Sequence, residues 1–141
     1  MERLEAHGRA APSSLQEIRS LVLIDTTQMA LERSISGAAQ RHEALAANLA
    51  NASTPGYRRV DVDFHGALAA AMGSSDARSA IEHTGFTTQA DASVGATQAD
   101  GNSIDVDAES AKLAAIALEQ QAAVSVLKAR TAIMRSALGV A

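Results

Sequence analysis

Few residues in this chain are equipped for chemistry. It contains no cysteine, which excludes thiolate nucleophiles, thiolate metal ligands and disulfides. The four histidines are His7, His42, His65 and His83, and none pairs with another at metal-ligand spacing. His42 lies on the apolar seam of a predicted helix, where a hydrogen-bonded packing histidine is the expectation. The acidic run Asp100-Gly101-Asn102-Ser103-Ile104-Asp105-Val106-Asp107 invites a calcium reading but fails the EF-hand template. Ile104 stands at the fifth position, Asp105 where glycine makes the sharp turn, and Ala111 where a bidentate glutamate belongs. Turn formation and helix capping explain these residues better. There is no Gly-x-Ser-x-Gly elbow and no phosphate-binding glycine loop. The sequence therefore predicts no catalytic residue, no cofactor, no metal, and a protein that is not an enzyme.

The most specific segment is Ala46-Ala47-Asn48-Leu49-Ala50-Asn51-Ala52-Ser53-Thr54-Pro55-Gly56-Tyr57-Arg58-Arg59. It reads as a helix end with a defined exit. Asn48 and Asn51 are one turn apart, so both amides share a face. Pro55-Gly56 suits the central positions of a type II turn, where glycine supplies the positive φ. Tyr57 offers a large amphipathic anchor in a chain whose other aromatic residues are Phe64 and Phe86.

Two long helices must position this segment. Asp25 is an N-cap with Gln28 at the N3 position of a capping box. Leu31, Ile35, Ala38, His42, Leu45, Leu49 and Ala52 then alternate four and three residues apart, a heptad seam. The predicted helix covers 25–52, bounded by the restriction that Pro55 places on Thr54. A second helix is expected over 108–138, capped by Asp105 or Asp107, with Glu109 in its first turn. Its seam reads Leu113, Ala117, Gln120, Val124, Leu127, Thr131, Met134 and Leu138. The fold class is mainly α: two long terminal helices packed as an antiparallel coiled-coil-like pair, with a mostly irregular middle segment. Residues 1–24 form a leader with a short helix over 14–24, and 25–141 form one domain with a turn and loop region over 53–107. Within that region Val60, Val62 and Phe64 suit an extended stretch. Phe64, Leu68 and Met72 suit a short helix, and 73–103 a flexible surface loop, with a weak hairpin within it as the alternative.

The last helix carries a second apolar stripe, Leu118, Ala122, Val126, Ala129 and Ile133, on a side the seam does not use. A two-helix hairpin leaves it in water, whereas a helix apolar on more than one face is normally surrounded. Neighbouring subunits are the expected cover; a leader folded over the stripe is the bland alternative. Ala44 and Ala47, on the outer side of the first helix, point toward neighbours more weakly.

The bulk composition fits an assembling helical subunit. Nearly half of the apolar residues are alanine, 32 in all, the best helix former but a residue that buries little area per contact. The formal net charge is −4 with no basic face, so nucleic acid has no electrostatic footprint. The longest strongly apolar run, Leu21-Val22-Leu23-Ile24, is far short of the ~20 residues that cross a bilayer. Nor do the first residues read as a cleaved signal peptide, because Glu2 and Glu5 interrupt the basic stretch.

The segment 46–59 closely resembles the signature of flagellar rod and hook proteins, Ala-Asn-Asn-Ile-Ala-Asn-x-x-Thr-Pro-Gly-Tyr, with Ala47 in place of the first asparagine and Leu49 in place of the isoleucine. The continuation Arg58-Arg59-Val60-Asp61-Val62-Asp63-Phe64 and the stretch Gly101 to Asp107 are similar to proximal-rod members. The likeness covers 26–72 and 100–139, not 1–24 or most of 73–99. It implies terminal helices that line a helical tube around an export channel. Asn48, Asn51, Thr54, Pro55, Gly56 and Tyr57 would then shape the turn and contact neighbours. It implies partners: copies of itself, other rod proteins, membrane-ring/rod junction proteins and the flagellar type III export apparatus. It places the chain in the periplasmic rod of the basal body, exported unfolded with no cleaved signal and not inserted in the membrane. Phe64-His65-Gly66-Ala67-Leu68 matches the family's Phe-x-x-x-apolar export-gate motif, with a packing role for Phe64 and Leu68 as the alternative. The rival readings are another short rod subunit and a cytoplasmic helical adaptor or export chaperone, which would itself not be exported.

Overall fold

The computed structural model describes residues 25–91 and 98–139; the leader, with the short helix expected over 14–24, lies outside them. The elements in chain order are α1 (Thr26–Ala50), β1 (Val60–Asp61), α2 (Phe64–Met72), α3 (Ala77–His83), β2 (Gln89–Ala90) and α4 (Val106–Ala137). At 1.5 Å per residue α4 is roughly 48 Å long, and it packs along α1. The pair is antiparallel: Asp25 before α1 meets Arg130 near the end of α4, and Asn48 near the end of α1 meets Glu109 at the start of α4.

Both starts are capped as the residue types require. The Asp25 carboxylate accepts from the Gln28 amide N–H at 2.9 Å. The Gln28 side chain does not close the capping box but donates to Glu32 at 3.1 Å. Asp105 accepts from the N–H groups of Asp107 and Ala108 at 3.1 and 3.0 Å. α1 stops at Ala50, ahead of the expected 52, because the Asn51 side chain turns back and donates to the Ala47 carbonyl at 2.8 Å.

The α1 seam is as read: Ala38 and Leu45 are buried, and Leu31, Ile35, His42, Leu49 and Ala52 half-buried. The α4 seam is rotated. Leu113, Gln120, Val124, Leu127 and Met134 are half-buried as expected, but Ala117, Thr131 and Leu138 face water. Glu109 and Ile116 are buried instead, with Ala123 and Arg130 half-buried. Both rows share the Leu113, Gln120, Leu127, Met134 spine. The helix turns toward the row whose polar members find partners, Glu109 with Arg59 and Arg130 with Asp25.

The middle segment holds more structure than the loop expected of it. β1 and β2 form a two-stranded antiparallel sheet, Val60 opposite Ala90 and Asp61 opposite Gln89. α3 lies within the stretch read as a surface loop. Asp76 caps it, accepting from the Ser79 N–H at 3.1 Å, and Ile81 is wholly buried. Two apolar clusters result. One joins Ala38, Ala44, Leu45, Val62, Phe64 and Ile116, with Phe86 edge-on to Phe64 at 6.1 Å between centroids. The other joins Ala30, Ala71 and Ile81, with Leu68 against it. Ala44 therefore packs inside its own subunit rather than toward neighbours; Ala47 is exposed. Gly37 makes the first cluster possible, since a Cβ there would lie 2.6 Å from the Phe64 side chain.

Candidate assembly site

The signature segment folds as a tip, a hydrogen-bonded turn beyond the end of α1. Thr54, Pro55, Gly56 and Tyr57 form a β-turn, closed by the Tyr57 N–H to the Thr54 carbonyl at 3.2 Å, with Gly56 at φ 71°. That is the type II turn expected. Thr54 donates its hydroxyl to Asn51 Oδ1 at 3.2 Å. Thr54, Pro55 and Gly56 remain exposed, while Asn51 and Tyr57 are half-buried.

A second loop, far away in sequence, locks this tip. The Asn102 amide is fully buried and donates to the carbonyls of Asn51, Ala52 and Thr54 at 3.1, 3.1 and 2.8 Å. Asn51 and Thr54 also accept from the N–H groups of Thr54 and Tyr57 at 3.0 and 3.2 Å, so the amide gathers the carbonyls of the turn that follows α1. The Gly56 N–H reaches the Asp100 carbonyl at 3.1 Å, and the Ser103 N–H the Tyr57 carbonyl at 3.1 Å. Gly101 takes φ 80°, and a Cβ there would lie 3.6 Å from the Gly56 Cα. The two stretches that carried the sequence resemblance thus form one structure.

Beneath the tip lies a buried polar clasp. Asn48, 0% exposed, meets the edge of β1 like another strand: its Nδ2 donates to the Val60 carbonyl at 2.7 Å and its Oδ1 accepts from the Val60 N–H at 3.0 Å. The same Nδ2 donates to Glu109 Oε2 at 2.8 Å, and the Tyr57 hydroxyl donates to Asn48 Oδ1 at 3.5 Å. Glu109, 1% exposed, also accepts from Arg59 and from Lys112. Arg59 extends the cluster to Asp61 and Asp91, and Arg41 grips Asp61 with two bonds of 2.8 and 3.1 Å. Buried charges survive only when paired and hydrogen-bonded in this way. Burial pushes the Asp61 carboxyl pKa up, but the bonds from Arg41 and the Val62 N–H, with the charges of Arg41 and Arg59, outweigh it and hold the carboxyl below its ordinary value. The Arg41 guanidinium is raised in turn, chiefly by its bond to Asp61.

The motif candidates on α2 have an inward role in the folded chain. Phe64 is fully buried, and Leu68 half-buried against the second cluster. Asp63 caps α2 through the Gly66 N–H at 2.9 Å, and a Cβ on Gly66 would strike that carboxylate. His65 contacts Glu119 of α4.

The stripe on α4 is open. Leu118, Val126 and Ile133 are 68, 53 and 70% exposed, and Ala122 and Ala129 also face water. Sequence reasoning missed Arg59, Asn102 and Glu109, three buried polar residues. By residue type Asn102 suits a turn and Glu109 a helix first turn, and only the short spacing from Asn102 to the Asp105 cap hints at a structured approach to α4. Among the described residues no helix is long and apolar enough to cross a membrane.

Residues 34–58, which contain Asn48, the turn and Tyr57, match the family described as Flagella basal body rod protein. The flagellar basal body rod protein FlgB of Escherichia coli (strain K12) is 38% identical over 104 residues, spanning 63% of this chain and 75% of that protein. The FlgB protein of Shigella flexneri matches to the same extent. The chain belongs to the flagellar basal body rod protein family. In this family the role is structural and not enzymatic, and the clasp and tip of the rod chain are to be read as architecture rather than as a reaction centre.

Proposed function

We infer that the chain is a structural subunit of the proximal rod of the bacterial flagellar basal body, assembling with copies of itself and with other rod proteins into a helical tube. Family membership supports the rod. The observation that carries assembly is the bare stripe on α4. Three large apolar side chains stand in water along one line of a helix whose opposite side is already packed on α1, a pattern that marks an interaction surface. In this reading Leu118, Ala122, Val126, Ala129 and Ile133 meet neighbouring subunits. Asn48, Asn51, Thr54, Pro55, Gly56 and Tyr57 set the angle at which the chain leaves α1 and present the tip to a neighbour.

Further partners are the membrane-ring/rod junction proteins and the flagellar type III export apparatus, through which the chain passes unfolded and without a cleaved signal to the periplasmic rod. Phe64 and Leu68 would serve the export gate while the chain is unfolded and the core once it folds. The two roles do not compete, because the buried Phe64 is accessible only before folding.

Electron microscopy of basal bodies tests the assignment. A strain lacking this chain is expected to make membrane rings without a rod, and Ile133→Asp to restore export but not the rod. Complete rods and normal motility with Ile133→Asp would reject the stripe as the assembly surface.

A further inference from the structure

The inner side of α4 repeats itself. The row that begins with Glu109 recurs every seventh residue as Ile116, Ala123 and Arg130, and beside it Leu113, Gln120, Leu127 and Met134 keep the same interval. α1 answers with Leu31, Ala38 and Leu45, again seven residues apart. Two seams of equal period fit nearly as well after one slides along the other by a heptad, about 10 Å at 1.5 Å per residue. Apolar contact, much of it through alanine, therefore does not choose the alignment of the two helices.

The polar members of the row do choose it. Asn48 meets Glu109 at one end of the pair, and Asp25 meets Arg130 at the other. With α4 displaced by one heptad, Ile116 or Asn102 takes the place of Glu109, and Ala137 or Ala123 that of Arg130. Arg59 and Asn48, both buried, are then left without the Glu109 carboxylate, which a site shut off from water penalises. The two ends are not equal. The Asp25 and Arg130 side chains are 46 and 33% exposed, and solvent weakens their pairing. Glu109 is buried and accepts from Asn48, Arg59 and Lys112.

We propose that Asn48, Arg59 and Glu109 are positioning residues that set the register of α4 against α1 when the two helices pair in the rod, and with it the height at which the stripe meets a neighbour; this rests on the stripe being the assembly surface. Asn48 also holds both backbone polar groups of Val60, so one contact ties β1 and the tip to the same register. Leu118 begins the stripe nine residues after Glu109, about 14 Å along the helix. A heptad slip leaves the tip in place and carries the stripe about 10 Å past the surface that a neighbour offers it. The key acts only where the helices pair, and it asks nothing of copies that have not assembled.

The absence of cysteine lets a disulfide replace the key. Counted inward from Asp25 and Arg130, Ile35 stands level with Gln120, and both are half-buried. Ile35→Cys with Gln120→Cys locks the observed register once the chain reaches the oxidising periplasm. Ile35→Cys with Leu127→Cys locks the register one heptad away. Each lock is added to a chain carrying Arg59→Met and Glu109→Leu, which puts apolar groups in place of the buried charges, in a strain lacking the natural chain. Rods are counted in basal bodies by electron microscopy, and disulfide formation is followed by gel mobility.

The Arg59→Met, Glu109→Leu chain is expected to be exported and to lose rods. The lock through Gln120→Cys should restore them, the lock through Leu127→Cys should not, and the first lock in the otherwise unchanged chain should leave rods intact. Normal rods with Arg59→Met and Glu109→Leu alone overturn the proposal, because a clasp that only stabilises is replaced by apolar packing without loss. Failure of the first lock to restore rods, or equal restoration by the second, overturns it as well. Each of these outcomes leaves the stripe standing; normal rods with Ile133→Asp would remove the stripe itself.

Discussion

The two long helices are built from similar residues but live in different surroundings. α1 is enclosed by its own chain: α4 on one side, and α2, α3 and β1 on others. Its outward ridge, Glu32, Ser36, Gln40 and Glu43, is polar. α4 leans on α1 along one seam, and its outward ridge is Leu118, Ala122, Val126, Ala129 and Ile133. Stability is thus concentrated around α1, where Phe64, Leu45 and the clasp lie, and the surface for other subunits is concentrated on α4. Changes near α1 should be read in unfolding experiments and changes on the outer ridge of α4 in assembly experiments.

The strongest challenge to this division is Glu109, which sits on α4 but belongs to the α1 side. Glu109→Ala leaves Arg59 buried with a weakened set of partners, a loss of about 3–5 kcal/mol when one member of a buried ion pair is removed. Urea unfolding measures it, and an unchanged midpoint would mean that the clasp holds nothing. Phe64→Ala opens the main cluster and should cost a similar ~3–5 kcal/mol. Secretion of the same variant separates packing from the gate motif: reduced export supports the motif, and unchanged export leaves Phe64 as a core residue. Gly37→Ala, on the buried face of α1, pushes a methyl into the Phe64 ring and should cost about 1–3 kcal/mol; a neutral result would show that the ring shifts freely.

Two weaker effects sharpen the contrast. Because the folded Asp61 carboxyl titrates below its unfolded value, the stability it contributes is complete above its unfolded pKa of about 3.9 and is lost as the pH falls through the lower folded value. Asp61→Asn should therefore flatten the acid limb of a stability-against-pH curve while lowering stability modestly near neutral pH, since Asp61 and Arg41 are only half-buried and solvent weakens their pairing. Ile133→Asp should shift subunit stability by about 0.5 kcal/mol or less, as an exposed substitution does, while abolishing assembly. A large loss of stability in the isolated subunit would show that Ile133 is part of its core.

Much of this was legible in the residues. The Asp25 and Asp105 caps, the α1 seam, the Pro55-Gly56 turn and the second stripe follow from local rules, because caps, turns and helical periodicity depend on neighbours within a few positions. The α4 seam was half legible. Two rows share Leu113, Gln120, Leu127 and Met134, and hydrophobicity alone does not choose between Ala117 and Ile116 when polar partners on other elements decide the rotation.

The sequence by itself determined the aspartates that cap the two long helices, that the first one ends ahead of Pro55, and that the last one carries more apolar surface than a hairpin hides. Tertiary structure decided what the charged and amide side chains do. Glu109 became the centre of a clasp, Asn102 the lock on a tip some fifty residues earlier, and Asn48 a surrogate strand for β1. It also ordered α3, a single turn or two with one large apolar residue, Ile81, too little to specify a helix until α1 and α2 cover it. The physical reason is common to all four: a buried hydrogen bond, ion pair or apolar contact is specified by the position of its partner in space, and nothing in the local spacing of residues records where that partner will be.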